Sequence, residues 1–182
     1  MRIILASKSP RRKELLKSIF NDFDIIPSTV DENKYPLDKL SLVKAEEIAN
    51  RFPSSLIISA DTLVYFNNNI LGKPLNEEDA RRMLKMLSNN THEVVTYYSI
   101  LNKEKNISLT RKIVSKVTFN ELSDELIDSY IKSGSPLDKA GSYGIQDKEF
   151  NLVKEFTGDL DNIIGLPVSD LKKDLIELGI KL

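Results

Sequence analysis

The sequence predicts an α/β protein of the α+β kind, in which a mixed β-sheet is flanked by helices. Three observations predict it. Stretches of β-type residues at 2–6, 23–30, 56–66, 93–102, 107–119 and 150–156 have strand length. Apolar residues recur at helical spacing in segments opening near 10, 40, 76, 123 and 169. The two kinds of segment do not alternate strictly, which argues for a mixed sheet and against a barrel.

Taken in order, residues 2–6 (RIILA) read as a short buried strand. Ser9 is a good helix N-cap and Pro10 suits the first helical position, with Leu15, Leu16 and Ile19 following at helical spacing. Residues 23–30 read as a second strand that runs into Asp31 and Glu32. Leu42, Ala45, Ala49 and Phe52 mark one face of a helix over about 40–52. LIISADTLVYF at 56–66 is a long strand, Asn67–Asn69 a hairpin turn, and Ile70–Leu71 the return. Asn76 caps a helix with Glu77 and Glu78 in its first turn and Ala80, Met83, Leu84 and Leu87 on its apolar face. Two strands, 93–102 and 107–119, are joined by a polar turn around Lys103–Asn106. Ser123 caps a helix to about 132, and a Gly/Pro-punctuated loop fills 133–146. Ser169 is the expected cap of the last helix, with Leu171, Leu175 and Leu178 inward and Gly179 ending it.

No repeat or linker interrupts the chain, so 1–182 reads as a single domain. No apolar run reaches bilayer length, and the N-terminal apolar stretch is too short for a secretory signal; a cytoplasmic location is expected, with no membrane partner. There is no cysteine, which removes disulfides, a thiolate nucleophile and thiolate metal sites. The single histidine, His92, rules out a two-histidine metal site within one chain; at the start of a strand it reads as a polar surface residue. A metal would therefore be held by oxygen ligands, which favours Mg²⁺ or Mn²⁺. The formal net charge of −1 lacks the basic excess of a nucleic-acid binder, but leaves room for a local basic pocket. Arginine is scarce, 7 against 19 lysines, and two of the seven stand together at Arg11 and Arg12.

Five features could carry chemistry. Ser7-Lys8-Ser9-Pro10-Arg11-Arg12 surrounds a helix N-terminus, where free N–H groups, hydroxyls and guanidiniums suit an anion; the plainer reading is a cap followed by solvated arginines. Asp61 interrupts an apolar strand and is costly to bury unless paired, hydrogen-bonded or metal-bound. Asp31-Glu32 ends a strand and would complete a hard-cation site near Asp61, or simply be a solvated turn. Gly72-Lys73-Pro74 sets a lysine in a stiff turn; it is not a P-loop. Lys139-Ala140-Gly141 to Gly144-Ile145-Gln146 could bring backbone and an amide to a ligand, matching the imide edge of uracil or thymine, or be an ordinary surface loop.

Together these pieces resemble the Maf family of nucleotide pyrophosphatases. The matching segments are LASKSPRR at 5–12, DE at 31–32, KA at 44–45, ADT at 60–62, GKP at 72–74, DKAG at 138–141, GIQ at 144–146 and N-x-x-GLP at 162–167, in the family's order over most of the chain. The resemblance implies an elongated mixed sheet flanked by helices, two lobes with a central phosphate-binding cleft, and in many members a homodimer. It implies hydrolysis of a nucleoside triphosphate between the α and β phosphates, with Asp61 as proton acceptor. The branch acting on dTTP and UTP resembles this chain at Arg12, Thr62 and Gln146. The chain departs from the family's pattern at Tyr97 and Ser135, where the family has glycine and glutamate, and at Asp161, where an aromatic usually stands.

On that resemblance, Arg11, Arg12, Lys44 and Lys73 are expected to hold phosphate oxygens, aided by Ser7 and Ser9. Mg²⁺ or Mn²⁺ is expected at Glu32 and Asp61, and Asp61 is expected to orient or deprotonate water. Thr62 and Gln146 are the expected specificity residues. The rival reading is a non-catalytic nucleotide-binding regulator of septum formation, which would not need Asp61.

Overall fold

The computed structural model describes all residues, Met1–Leu182. A seven-stranded sheet has the order β2-β1-β3-β5-β6-β7, with β4 beside β3. The strands are β1 Ile3–Leu5, β2 Asp24–Ile25, β3 Leu56–Phe66, β4 Asn69–Leu71, β5 Thr91–Asn102, β6 Ile107–Phe119 and β7 Val153–Thr157. The helices are α1 Pro10–Lys17, α2 Leu40–Arg51, α3 Glu77–Leu87, α4 Asp124–Lys132, α5 Leu160–Ile164 and α6 Val168–Glu177. β1 is parallel to both β2 and β3, whereas β4 is antiparallel to β3 and β7 to β6, so the sheet is mixed. β3 pairs Leu56–Ile58 with β1 and Val64–Phe66 with β4; Ser59–Leu63, which carries Asp61, lies between the two pairings.

The chain forms two compact units, each assembled from separated segments. The first contains Met1–Asp61, Thr96–Ile113 and Gly165–Leu182. β1 and the first half of β3 are covered on both faces. Leu5 and Ile58 pack with Leu16, Tyr98, Leu171 and Leu175, while their neighbours Ile4 and Ile57 pack with Ala45, Ile48 and Ala49 of α2. Burial on both faces is why these strands read as continuous apolar runs rather than alternating ones. A polar contact ties α6 into this unit. The buried Tyr98 hydroxyl donates to Asp174 Oδ2 at 2.5 Å, and Arg111 donates to both carboxylate oxygens at 3.1 Å. Burial raises the Asp174 pKa, but the bonds from Arg111 and Tyr98 outweigh it and hold the group below its ordinary value.

The second unit contains Thr62–Val95 and Val114–Ile164. Leu84, Leu87, Phe119, Ile127, Tyr130 and Tyr143 are part of its core. Exposed ion pairs Arg81–Asp128 and Lys85–Asp124 link α3 to α4. Ser9, Asn76 and Ser123 all cap their helices through their side chains, as their positions predict.

Several boundaries differ from the sequence expectation for identifiable reasons. The strand expected over 23–30 stops at Ile25: Ile26 N–H still donates to Leu5 O, but Pro27 has no N–H to continue the ladder. The last helix starts at Val168 after Pro167, so Ser169 lies inside its first turn and caps nothing. Val168 is buried at that start, and Leu171 N–H closes the turn on Pro167 O. The five-residue α5 was not expected; Gly165, at φ +134°, ends it before any apolar period can develop. The strand expected over 150–156 begins at Val153, after Asn151 in a left-handed turn.

His92 is the clearest correction. It is 2% exposed, not a surface residue. Its Nε2 lies 2.7 Å from the Tyr143 hydroxyl, its ring meets Phe119 and Tyr143 edge-on, and Nδ1 has no partner. Burial lowers its pKa to about 4. An unfolded histidine titrates near 6.5. Between those values the unfolded chain binds the extra proton, so stability falls as pH drops from about 6.5 to about 4, by up to about 3 kcal/mol from this group. Because His92 is the only histidine, its imidazole C2–H resonance can be followed by NMR without ambiguity. It should titrate near pH 4 in the folded protein; a midpoint near 6.5 would contradict the buried, neutral ring.

Candidate active site

The expected anion site forms at the start of α1. Ser9 has an extended backbone, and its Oγ accepts the Arg12 N–H at 3.4 Å. Ser7 is buried and its Oγ accepts from Ser9 N–H at 3.2 Å and from Arg12 Nη1 at 3.3 Å. Arg12 Nε donates to the Gly165 carbonyl at 2.9 Å. The GLP segment at 165–167 thus has a local role: its first carbonyl fixes one edge of the Arg12 guanidinium. No acidic residue stands in the first turn of α1, so nothing in that turn offsets the positive potential of its N–H groups.

The second cluster lies in the same unit. Lys44, on α2, donates from Nζ to Asp61 Oδ1 at 2.6 Å and reaches Glu32 Oε1 at 2.8 Å. The Lys44 and Asp61 side chains are 12% and 13% exposed, whereas Glu32 is open to solvent. Asp61 Oδ2 is buried and has no hydrogen-bond partner. Glu32 stands in a 3₁₀ turn, Glu32–Lys34, that Asp31 caps by accepting Asn33 N–H at 3.2 Å. The DE pair therefore divides: Asp31 builds the turn, and Glu32 joins Asp61. The Arg12 pKa is lowered, first by burial and further by Arg11, against the opposing pull of Asp61 and Glu32. That coupling ties the phosphate-type cluster to the carboxylate cluster. Lys44 thus contacts both carboxylates, and Arg12 lies within electrostatic reach of Asp61, Glu32 and Arg11.

The remaining expected residues belong to the second unit. Thr62 follows Asp61 directly in β3. Lys73 is exposed in its turn, and the preceding Gly72 carbonyl accepts Gly141 N–H at 3.0 Å, which joins the GKP and DKAG segments. Gln146 is exposed on a loop that is built rather than loose. Tyr130 and Ser135 hydroxyls both donate to Asp147 Oδ2, at 2.5 and 2.7 Å, and Gly144 N–H donates to Tyr130 Oη at 3.0 Å. Lys139 is absorbed by this network, donating to Ser135 O and Oγ at 2.6 and 3.0 Å and to Asp138 at 2.8 Å. Asp147 and Tyr130 were missed from sequence; an acid directly after the Gln was the available signal. At the departures, Tyr97 receives Lys112 Nζ over its ring at 5.9 Å, and Ser135 takes part in the Asp147 network. Asn162 is structural, donating to Val94 O and Ser115 Oγ at 3.2 and 2.9 Å.

A carboxylate with one oxygen held by an ammonium and the other buried without a donor is suited to accept a water proton or a cation. Glu32 and Asp61 fit a divalent ion in this limited sense, since Asp61 Oδ2 is an unused anionic oxygen. No group of three or more histidine, aspartate or glutamate side chains converges, so these two would be the protein's share of the coordination.

The fold agrees with the comparison by family. The model for Maf-like protein matches residues 2–178, and the chain belongs to the Maf family. Among curated proteins it is similar to a dTTP/UTP pyrophosphatase of Pyrococcus furiosus, 48% identical over 188 residues that cover 100% of this chain and 97% of that one. It is similar to proteins of the same description from Carboxydothermus hydrogenoformans, 45% identical over 98% of this chain and 100% of the relative, and from Bacillus cereus, 44% identical over 98% and 96%.

Gly141 tests whether the joined loops are as tightly built as they look. At φ +68°, a Cβ there would lie 2.9 Å from Val64 Cγ2. Gly141→Ala is expected to cost about 1–3 kcal/mol through backbone strain and the clash. Thermal unfolding would show it, and an unchanged midpoint would contradict the close approach.

Proposed function

We propose that this protein is a nucleoside triphosphate pyrophosphatase that takes dTTP and UTP to the monophosphate and pyrophosphate, working in the cytoplasm. The observation that carries the reading is the Glu32–Lys44–Asp61 contact beside Arg12, with Asp61 Oδ2 left unused. The names of the relatives supply the substrate class, and their similarity spans the whole chain.

In this reading Arg11, Arg12 and the N–H groups at the start of α1 receive phosphate oxygens, with the Ser7 and Ser9 hydroxyls fixing the loop before the helix. Lys73 adds a further cation for the phosphates. Glu32 and Asp61 would hold Mg²⁺ or Mn²⁺, which when bound neutralises phosphate charge. Asp61 Oδ2 receives the proton of the attacking water as the water oxygen bonds to phosphorus. The bridging P–O bond between the α and β phosphates breaks, and pyrophosphate leaves. Such a reaction asks the protein for positioning and charge compensation more than for covalent chemistry. Thr62 and Gln146 read the pyrimidine base; the Gln146 amide offers one donor and one acceptor to its imide edge.

The direct test is pyrophosphate release from UTP, dTTP and purine triphosphates with Mg²⁺, Mn²⁺ or chelator. Metal-dependent release from the two pyrimidine nucleotides, with a monophosphate as the other product, is expected. Release of single phosphate would reject the bond assignment, and nucleotide binding without turnover would favour the regulator reading. Asp61→Asn should lower kcat about 100- to 10,000-fold while the fold persists. A variant with near-normal turnover would remove Asp61 as the base. Gln146→Glu removes the amide donor and should weaken the preference for UTP over ATP; unchanged discrimination would remove Gln146 from base recognition.

A further inference from the structure

The Ser59 side chain is fully buried on β3, two residues before Asp61, and its hydroxyl donates to the main-chain carbonyl of Ser41 in the first turn of α2. Two residues apart on a strand, Ser59 and Asp61 project from the same face. Three residues apart on a helix, Ser41 and Lys44 are neighbours on one side. The Ser59–Ser41 bond and the Asp61–Lys44 ion pair are therefore two successive rungs between the same strand and the same helix. α2 has no side-chain cap at its start, and this bond ties its first turn directly to β3. Beyond it, a line of hydroxyls runs from the buried Ser41 Oγ and Ser99 Oγ out to the exposed Thr110 Oγ1, each step 2.9 Å.

We propose that Ser59 is a positioning residue for the reaction: its hydroxyl sets α2 against β3 so that the Lys44 ammonium meets Asp61 Oδ1 and Oδ2 stays available. This deepens the proposed function and rests on it. Only a donor at position 59 makes the rung, because the Ser41 carbonyl is an acceptor. Loss of the rung lets the first turn of α2 shift, and Lys44 moves with it.

The test compares Ser59→Ala with Ser99→Ala, which removes a fully buried hydroxyl from the same line without touching the Ser59–Ser41 rung. Both variants should lower the melting temperature. Only Ser59→Ala should lower kcat for UTP, by about 10- to 100-fold, with KM little changed. In a Lys44→Met background, adding Ser59→Ala should cost nothing further. A second readout does not need turnover: the rate at which an amine-reactive reagent modifies Lys44, followed by mass spectrometry, should rise several-fold in Ser59→Ala and stay unchanged in Ser99→Ala. If Ser59→Ala does not fold, Ser59→Cys fills the same space with a weak donor and carries the same comparison. Wild-type kcat and wild-type Lys44 reactivity in the Ser59 variant would overturn the proposal, as would an equal loss of kcat in Ser99→Ala. If the wild-type protein fails to hydrolyse UTP, the proposed function falls instead, and Lys44 reactivity alone then decides the positioning role.

Discussion

Lys44 places one ammonium between two carboxylates at a point where little water reaches. Removing charges from water is costly, and a close pair recovers that cost only when its geometry is held. Much of the first unit acts to hold it. Asp61 is fixed by a strand whose preceding residues are wholly buried, and Lys44 by a helix that buries Ala45, Ile48 and Ala49 against Ile4 and Ile57. Breaking one partner would leave the other charge poorly solvated, so the contact ties the position of α2 to that of β3. Glu32 is the looser member, since solvent screens an exposed carboxylate and its contact with Lys44 is worth little on its own.

Arg12 follows the same logic from the other side. A guanidinium cannot shed its proton to escape burial, so its donors need acceptors. Gly165 O takes Nε and Ser7 Oγ takes Nη1, which settles the direction of the planar fork. Lysine could not make both contacts in that geometry. The carboxylates of Asp61 and Glu32 lie close enough to oppose the lowering of the Arg12 pKa, so the anion-binding end of α1 and the acid pair form one electrostatic neighbourhood.

How much of this was legible in sequence depended on the range of the cause. Caps are local, and Ser9, Asn76 and Ser123 were readable as such. The stop at Pro27 was also written locally, but the strongly β-type residues around it masked it. His92 was unreadable because its burial comes from Phe119 and Tyr143, distant in sequence. In the site, Ser7, Ser9, Arg12, Glu32 and Asp61 could be nominated one by one. Their pairing through Lys44 could not, since nothing in a Lys-Ala dipeptide says that its ammonium will lie 2.6 Å from an aspartate 17 residues on. The Gly165 carbonyl, 153 residues from Arg12, was beyond any local signal.

Charge accounting gives the site its chemical direction. A triphosphate brings about four negative charges near neutral pH, yet the neighbourhood of Arg12 already holds two carboxylates, Glu32 and Asp61. A site meant only to bind that anion would gain by omitting Glu32 and Asp61, because each repels phosphate. Their presence beside the arginines is costly for simple binding and makes sense where an anionic oxygen is needed for a metal, a proton or both. The unused Asp61 Oδ2 has that character, since an acceptor serving only structure would be expected to have found a donor. This weighs toward hydrolysis over passive nucleotide binding. The two acids also differ in their surroundings: Asp61 Oδ2 is buried without a donor, whereas Glu32 faces solvent.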